Sequence, residues 1–125
     1  MTVIAISSEG PTLNDAVDPR YGRAGGFIIA KVPEDGGEPT ISYLDNGEAQ
    51  MLPQGAGIVT TEHLANAGVT VVLSGYVGPN AFEALEAAGI GVVQDMDKMS
   101  TGEALKQFLD GRCSVASSPN HASGQ

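Results

Sequence analysis

The chain has no tryptophan, and only 5% of its residues are aromatic, which leaves little for the stacking platforms that hold single-stranded nucleic acid. Its one cysteine, Cys113, can close no internal disulfide and cannot by itself supply the thiolates of a zinc or iron–sulfur site. Positive charge is scarce: six Lys and Arg stand against 15 Asp and Glu, a formal net charge of −9. A surface of that sign repels nucleic acid and acidic membranes, so neither is expected as a partner. No apolar run approaches the roughly 20 residues of a membrane helix. Met1-Thr2-Val3 lacks the basic and apolar regions of a signal peptide, and the expected location is cytoplasmic.

What is present is enough for one core. The 125 residues are 42% apolar with 17 glycines, a composition that folds as a single domain and leaves no room for two. Val3-Ile4-Ala5-Ile6-Ser7 is short, apolar and β-branched, as a buried strand is. Residues 8–25, rich in Gly, Pro, Asp and Asn, form a loop long enough to suggest a functional role. Phe27–Val32 and Thr40–Leu44 flank Asp35-Gly36, the signal of a β-hairpin. From about Gly55 to Ala67 the apolar period becomes helical through Ile58, Thr61, Leu64 and Ala65, and Gly68 stands where a helix stops. Val69–Ser74 is a strand; Gly78-Pro79-Asn80 opens a helix carrying Phe82 and Leu85; Ile90–Val93 is a fifth strand. Ser100 and Glu103 make a capping box before Leu105, Phe108 and Leu109, and Gly111 ends that helix. The order β-β-β-α-β-α-β-α predicts an α/β fold with a ribonuclease H-like mixed five-stranded sheet: strands one, four and five parallel, two and three antiparallel. Residues 1–112 are expected to form the binding domain and 113–125, polar and small from Ser114 on, a disordered tail.

Nuclease chemistry in such a fold needs several carboxylates converging on metal ions, and neither Ile4-Ala5-Ile6 nor Ser74-Gly75-Tyr76 provides one. Neither histidine pairs with a nucleophile: His63 falls on the polar side of its helix and His121 in the tail. Nothing in the sequence argues for an enzyme. Ligands in open α/β sheets collect beyond the carboxyl ends of parallel strands, here Ser7–Gly25, Ser74–Asn80 and Gln94–Met99. The first of these places Arg20 and Arg23 close together in an acidic chain. Either they pair with Asp18 or Glu9 and pin the loop, or they face a bound anion, for which Arg is well suited. Gly55-Ala56-Gly57 and Gly75-Tyr76-Val77-Gly78-Pro79-Asn80 are glycine-bearing helix starts, where free N–H groups and the positive dipole end favour anions. On the residues alone a phosphate- or nucleotide-binding module remains open beside a metal–sulfur one.

The motifs Asp18-Pro19-Arg20-Tyr21-Gly22-Arg23-Ala24, Gly55-Ala56-Gly57-Ile58 and Gly75-Tyr76-Val77-Gly78-Pro79-Asn80-Ala81-Phe82, in that order, resemble the dinitrogenase iron–molybdenum cofactor biosynthesis family, the NifX-like domains. The resemblance covers about residues 2 to 110. It implies the ribonuclease H-like fold without nuclease activity and a role in binding sulfide-rich metal clusters. For the family's small free-standing, orange-protein branch it implies a molybdenum–copper sulfide cluster held non-covalently. Such clusters are anionic and bring their own sulfides, so positive charge and N–H groups suffice. For members that carry an iron–molybdenum cofactor precursor the resemblance implies Cys or His ligands, which the loops here lack. The cofactor-binding residues expected are Arg20, Tyr21, Gly22, Arg23, Ala24, Gly55, Ala56, Gly57, Ser74, Gly75, Tyr76, Val77, Gly78, Pro79 and Asn80. Among the thioethers Met51, Met96 and Met99, Met51 is the candidate for contact with copper, against the alternative that all three fill core gaps or staple a helix start. The expected role is carrier or store. The alternatives are an iron–molybdenum cofactor precursor carrier and a regulatory adaptor that contacts an ATPase or a cluster-accepting protein.

Overall fold

The computed structural model describes residues 1–119. Strands β1 (Thr2–Ser8), β2 (Gly26–Val32), β3 (Thr40–Asp45), β4 (Val71–Leu73) and β5 (Gly91–Val93) form one sheet of order β3-β2-β1-β4-β5. β2 is antiparallel to both β1 and β3, while β1, β4 and β5 run parallel. Helices α1 (Gly47–Gln50), α2 (Ala56–Asn66), α3 (Pro79–Ala87) and α4 (Thr101–Leu109) complete the chain. This is the mixed α/β sheet expected, with the short α1 as an unforeseen addition.

The strands divide their side chains at a period of two. Val3, Ala5, Phe27, Ile29, Val72 and Val92 enter one core with Leu64 of α2 and Phe82 and Leu85 of α3. Ile4, Ile6, Ile28, Ala30, Val71, Leu73 and Val93 enter the other with Ala104 and Leu105 of α4. Because both faces are covered, the central strands read as unbroken apolar runs rather than alternating ones. Leu64 and Leu85 have no exposed surface, and truncating such a side chain costs about 2–5 kcal/mol. Ser100 caps α4 by accepting from the Glu103 amide at 3.1 Å, and Gly68, at φ 80°, ends α2 in the left-handed region.

Several boundaries differ from expectation. β4 and β5 are three-residue ladders, although Thr70 and Ser74 still donate to Val3 and Val93 on either side. The β2–β3 connection turns at Pro33–Gly36 inside a longer loop rather than closing on two residues. The segment after β1 is held by isolated bridges from Ser8 to Val17, Ala16 to Ser100 and Arg20 to Tyr76. Residues 114–119 form no helix or strand, and part of this segment packs against the domain. Cys113 packs on the α4-side core, Ala116 packs on the opposite core, and the Ala116 amide donates to Val92 at 2.7 Å. The edge of β5 presents unpaired backbone groups, and this segment takes one of them. Residues 120–125, the rest of the expected disordered tail, lie outside the described residues together with His121.

Candidate functional site

Three segments meet beyond the carboxyl ends of β1 and β4: the 18–24 loop and the starts of α2 and α3. The loop is tied to the β4–α3 connection by the Tyr76 amide donating to Pro19 at 2.6 Å and the Tyr21 amide donating to Tyr76 at 3.1 Å. Glycine makes this approach possible. A Cβ on Gly75 would stand 2.8 Å from the Pro19 backbone, one on Gly22 2.8 Å from Gly57, and one on Gly57 2.8 Å from the Ala81 methyl. The loop therefore meets α2 and the β4–α3 connection backbone on backbone, and a larger residue at Gly57 would drive the two helix starts apart.

Between them lie two adjoining clefts. One, of about 290 Å³, is bordered by Arg23, Gly55, Ala56, Gly57, Pro79 and Asn80. The other, of about 370 Å³, lies among Arg20, Tyr21, Arg23, Tyr76 and Gly78, and the two share Gly22, Arg23 and Gly78. Both helices begin without a side-chain cap and without an acidic residue in the first turn, in a chain with 15 acidic residues. At α4 the situation is reversed. The Thr101 and Gly102 amides donate to Asp15 and Leu13 at 2.9 Å, Ser100 caps Glu103, and Glu103 itself is acidic. The α4 start is satisfied by the chain's own groups, whereas among the described residues no such bond reaches the first-turn amides of α2 or α3. Those amides, reinforced by two helix dipoles, are aimed at the cleft.

The two arginines behave differently. Arg20 donates through its amide and Nε to Asp18 Oδ1 at 3.0 and 3.4 Å, while its side chain stays 60% exposed. Arg23 pairs with no carboxylate among the described residues. Its Nη1 donates to the carbonyls of Gln50, at 3.0 Å, and Leu52, and its Nη2 donates to Pro53 at 3.3 Å. The expected pairing with Asp18 is thus seen for Arg20 alone, and Arg23 instead pins the segment after α1. Its charge is not cancelled and it borders both clefts.

The remaining predicted positions divide between cleft and interior. Tyr21 is buried, edge-on to Phe27 at 5.7 Å, with its hydroxyl 2.9 Å from Thr61. Burial lifts its phenol well above the usual range, and the Thr61 bond offsets a smaller part. Ala24, Ser74 and Val77 are also buried, with Ser74 Oγ 2.8 Å from Ser7 Oγ. Met96 and Met99 pack in the α4-side core, and neither lines the two clefts. Met51 is 81% exposed at the end of α1, between the Gln50 and Leu52 carbonyls that hold Arg23. His63, expected on plain surface, faces Glu48 of α1 at 3.8 Å. Sequence reasoning passed over Asn46, Gln50 and Thr60. Asn46 is buried and donates to Ala24 at 3.0 Å, Thr60 donates to Asn46 at 3.2 Å, and Gln50 donates to Arg23 at 3.2 Å. The one local signal was Asn46-Gly47-Glu48, a polar residue before an acidic first turn. Among the described residues no three His, Cys, Asp or Glu side chains gather as a metal-ligand set, and no helix is long and apolar enough to cross a membrane.

Fold and cleft together define a small α/β domain of ribonuclease H-like topology with a cleft beyond the parallel strands, bordered by two uncapped helix starts and two arginines. The family model described as dinitrogenase iron-molybdenum cofactor matches residues 1–111, and the chain belongs to that family. It is similar to the apo form of the orange protein from Desulfovibrio gigas, with 47% identity, 96% of this chain and 97% of that one covered, and a TM-score of 0.88. A putative NifB protein from Thermotoga is 32% identical over 92% of this chain and 93% of its own, with a TM-score of 0.75. An uncharacterized protein of Methanocaldococcus jannaschii is 28% identical over 102 residues, 82% of this chain and 84% of that protein.

Proposed function

We propose that this protein binds an anionic, sulfide-rich metal cluster in the cleft and serves as a cytoplasmic carrier or store for it rather than as a catalyst. The observation that carries this reading is the pair of uncapped helix starts, free of acidic residues, facing Arg20 and Arg23 in a chain of net charge −9. Sulfides bound to metal accept hydrogen bonds from amides and guanidinium groups, so the cargo supplies the metal–sulfur bonds and the protein supplies donors and field. The molybdenum–copper sulfide type suits this donor set, because among the described residues no cysteine or histidine borders the cleft, and Met51 offers an exposed thioether between the Gln50 and Leu52 carbonyls that hold Arg23. An iron–molybdenum cofactor precursor is the second reading, favoured by the family's description and the NifB neighbour. Similarity to the orange protein supports the first. Metal analysis and a visible spectrum of protein purified from its natural host test the reading. Molybdenum with copper and sulfide charge-transfer bands are expected; a colourless, metal-free protein that binds nucleotide would contradict it.

A further inference from the structure

Asp18 is a buried acidic residue bonded to Arg20, which lines the larger cleft. It is 3% exposed, and the backbone that carries it is fixed by Ser7 of β1. Its amide donates to Ser7 at 2.9 Å, and its carbonyl accepts from Ser7 Oγ at 2.7 Å. Ser7 Oγ lies 2.8 Å from Ser74 Oγ, which ties the ends of β1 and β4 together. The carboxylate oxygen Oδ1 then accepts from both the amide and Nε of Arg20. The bond to Asp18 uses Nε and neither Nη group, and Arg20 lines the larger cleft.

Resting on the reading of that cleft as an anion site, we propose that Asp18 is a positioning residue: it holds Arg20 Nε so that the Nη groups present a fixed pair of donors to the bound anion. A fixed guanidinium gives up less rotamer entropy on binding than a free one. The carboxylate contributes here as an acceptor at a set distance, and its negative charge is incidental.

Two substitutions separate geometry from charge. Asp18→Asn keeps an oxygen acceptor at the same reach and removes the charge; Asp18→Glu keeps the charge and moves the acceptor out by a methylene. Binding is read by visible titration of the apo protein with tetrathiomolybdate, with apo melting temperature measured alongside. The account expects Asp18→Asn to stay within threefold of the parent and Asp18→Glu to weaken binding at least tenfold. Both effects should vanish when introduced into Arg20→Ala. The reverse order, with Asn weak and Glu strong, overturns the proposal, as does an Asp18→Glu loss that persists undiminished without Arg20. If Asp18→Glu does not fold, an Asp18→Asn loss beyond threefold that depends on Arg20 overturns it, and retained binding supports it. A parent protein that fails to bind tetrathiomolybdate removes the anion site itself, an outcome distinct from binding that ignores Asp18.

Discussion

At the scale of single residues, the two arginines of one loop divide the labour of the site. The Arg20 side chain is 60% exposed against a buried Asp18 carboxylate; that carboxylate keeps the residue-20 backbone amide as a donor when the side chain is lost, so the side-chain pair contributes about 0–1 kcal/mol to folding. A charge-assisted bond to an anion is worth on the order of 1.5–3 kcal/mol, roughly ten- to a hundredfold in affinity. Arg20→Ala should therefore leave the apo melting temperature nearly unchanged and weaken tetrathiomolybdate binding by about that factor. Arg23→Ala should lower both, since it also releases the carbonyls of Gln50, Leu52 and Pro53; calorimetry of the two apo variants checks the split. Tyr21 gives a pH dependence. Its phenol is held protonated by burial, whereas an unfolded tyrosine titrates near about pH 10. Above that pH the folded chain retains a proton that the unfolded chain releases, so stability falls as pH rises. Tyr21→Phe should cost about 1 kcal/mol at neutral pH through the lost Thr61 bond. Denaturant unfolding of that variant should then show a smaller loss than the parent between about pH 10 and pH 12, above the usual tyrosine value.

Among the elements, the starts of α2 and α3 border the cleft, and a single substitution distinguishes their helix role from the anion role proposed for them. Asn80, exposed in the first turn of α3, is where a carboxylate would favour the helix by about 0.3–1 kcal/mol through its dipole. Asn80→Asp should accordingly raise the apo melting temperature and, by placing negative charge at the cleft, weaken tetrathiomolybdate binding; the two measurements should move in opposite senses. Much of this scale was legible in the sequence. Apolar runs marked the strands, the period change at Ile58–Leu64 marked α2, and Pro79 after Gly78 marked α3, because each signal is local. α1 was not legible, because four residues are too few to show a period. The role of Arg23 was hidden for a related reason: its partners are backbone carbonyls some 30 positions away, and a carbonyl has no residue type. The segment from Cys113 to Pro119 reads as tail by composition, yet it takes its place from the open edge of β5 rather than from any apolar pattern of its own.

For the whole molecule, the sheet separates two kinds of helix start. On one face α4 is capped by the chain itself, and on the other α2 and α3 converge, uncapped, on a cleft with Arg20 and Arg23. An overall charge of −9 repels anions elsewhere, so the cleft is where one can be held. The most direct test of that claim is the backbone amide spectrum of isotope-labelled protein during titration with tetrathiomolybdate. The account predicts that the amides of Gly22, Gly57, Ile58, Asn80 and Ala81 shift together and saturate at one equivalent, while Thr101 and Gly102 at the start of α4 stay in place. Saturable shifts at α4 or around Cys113 and Met96, with the α2 and α3 amides unmoved, would contradict it.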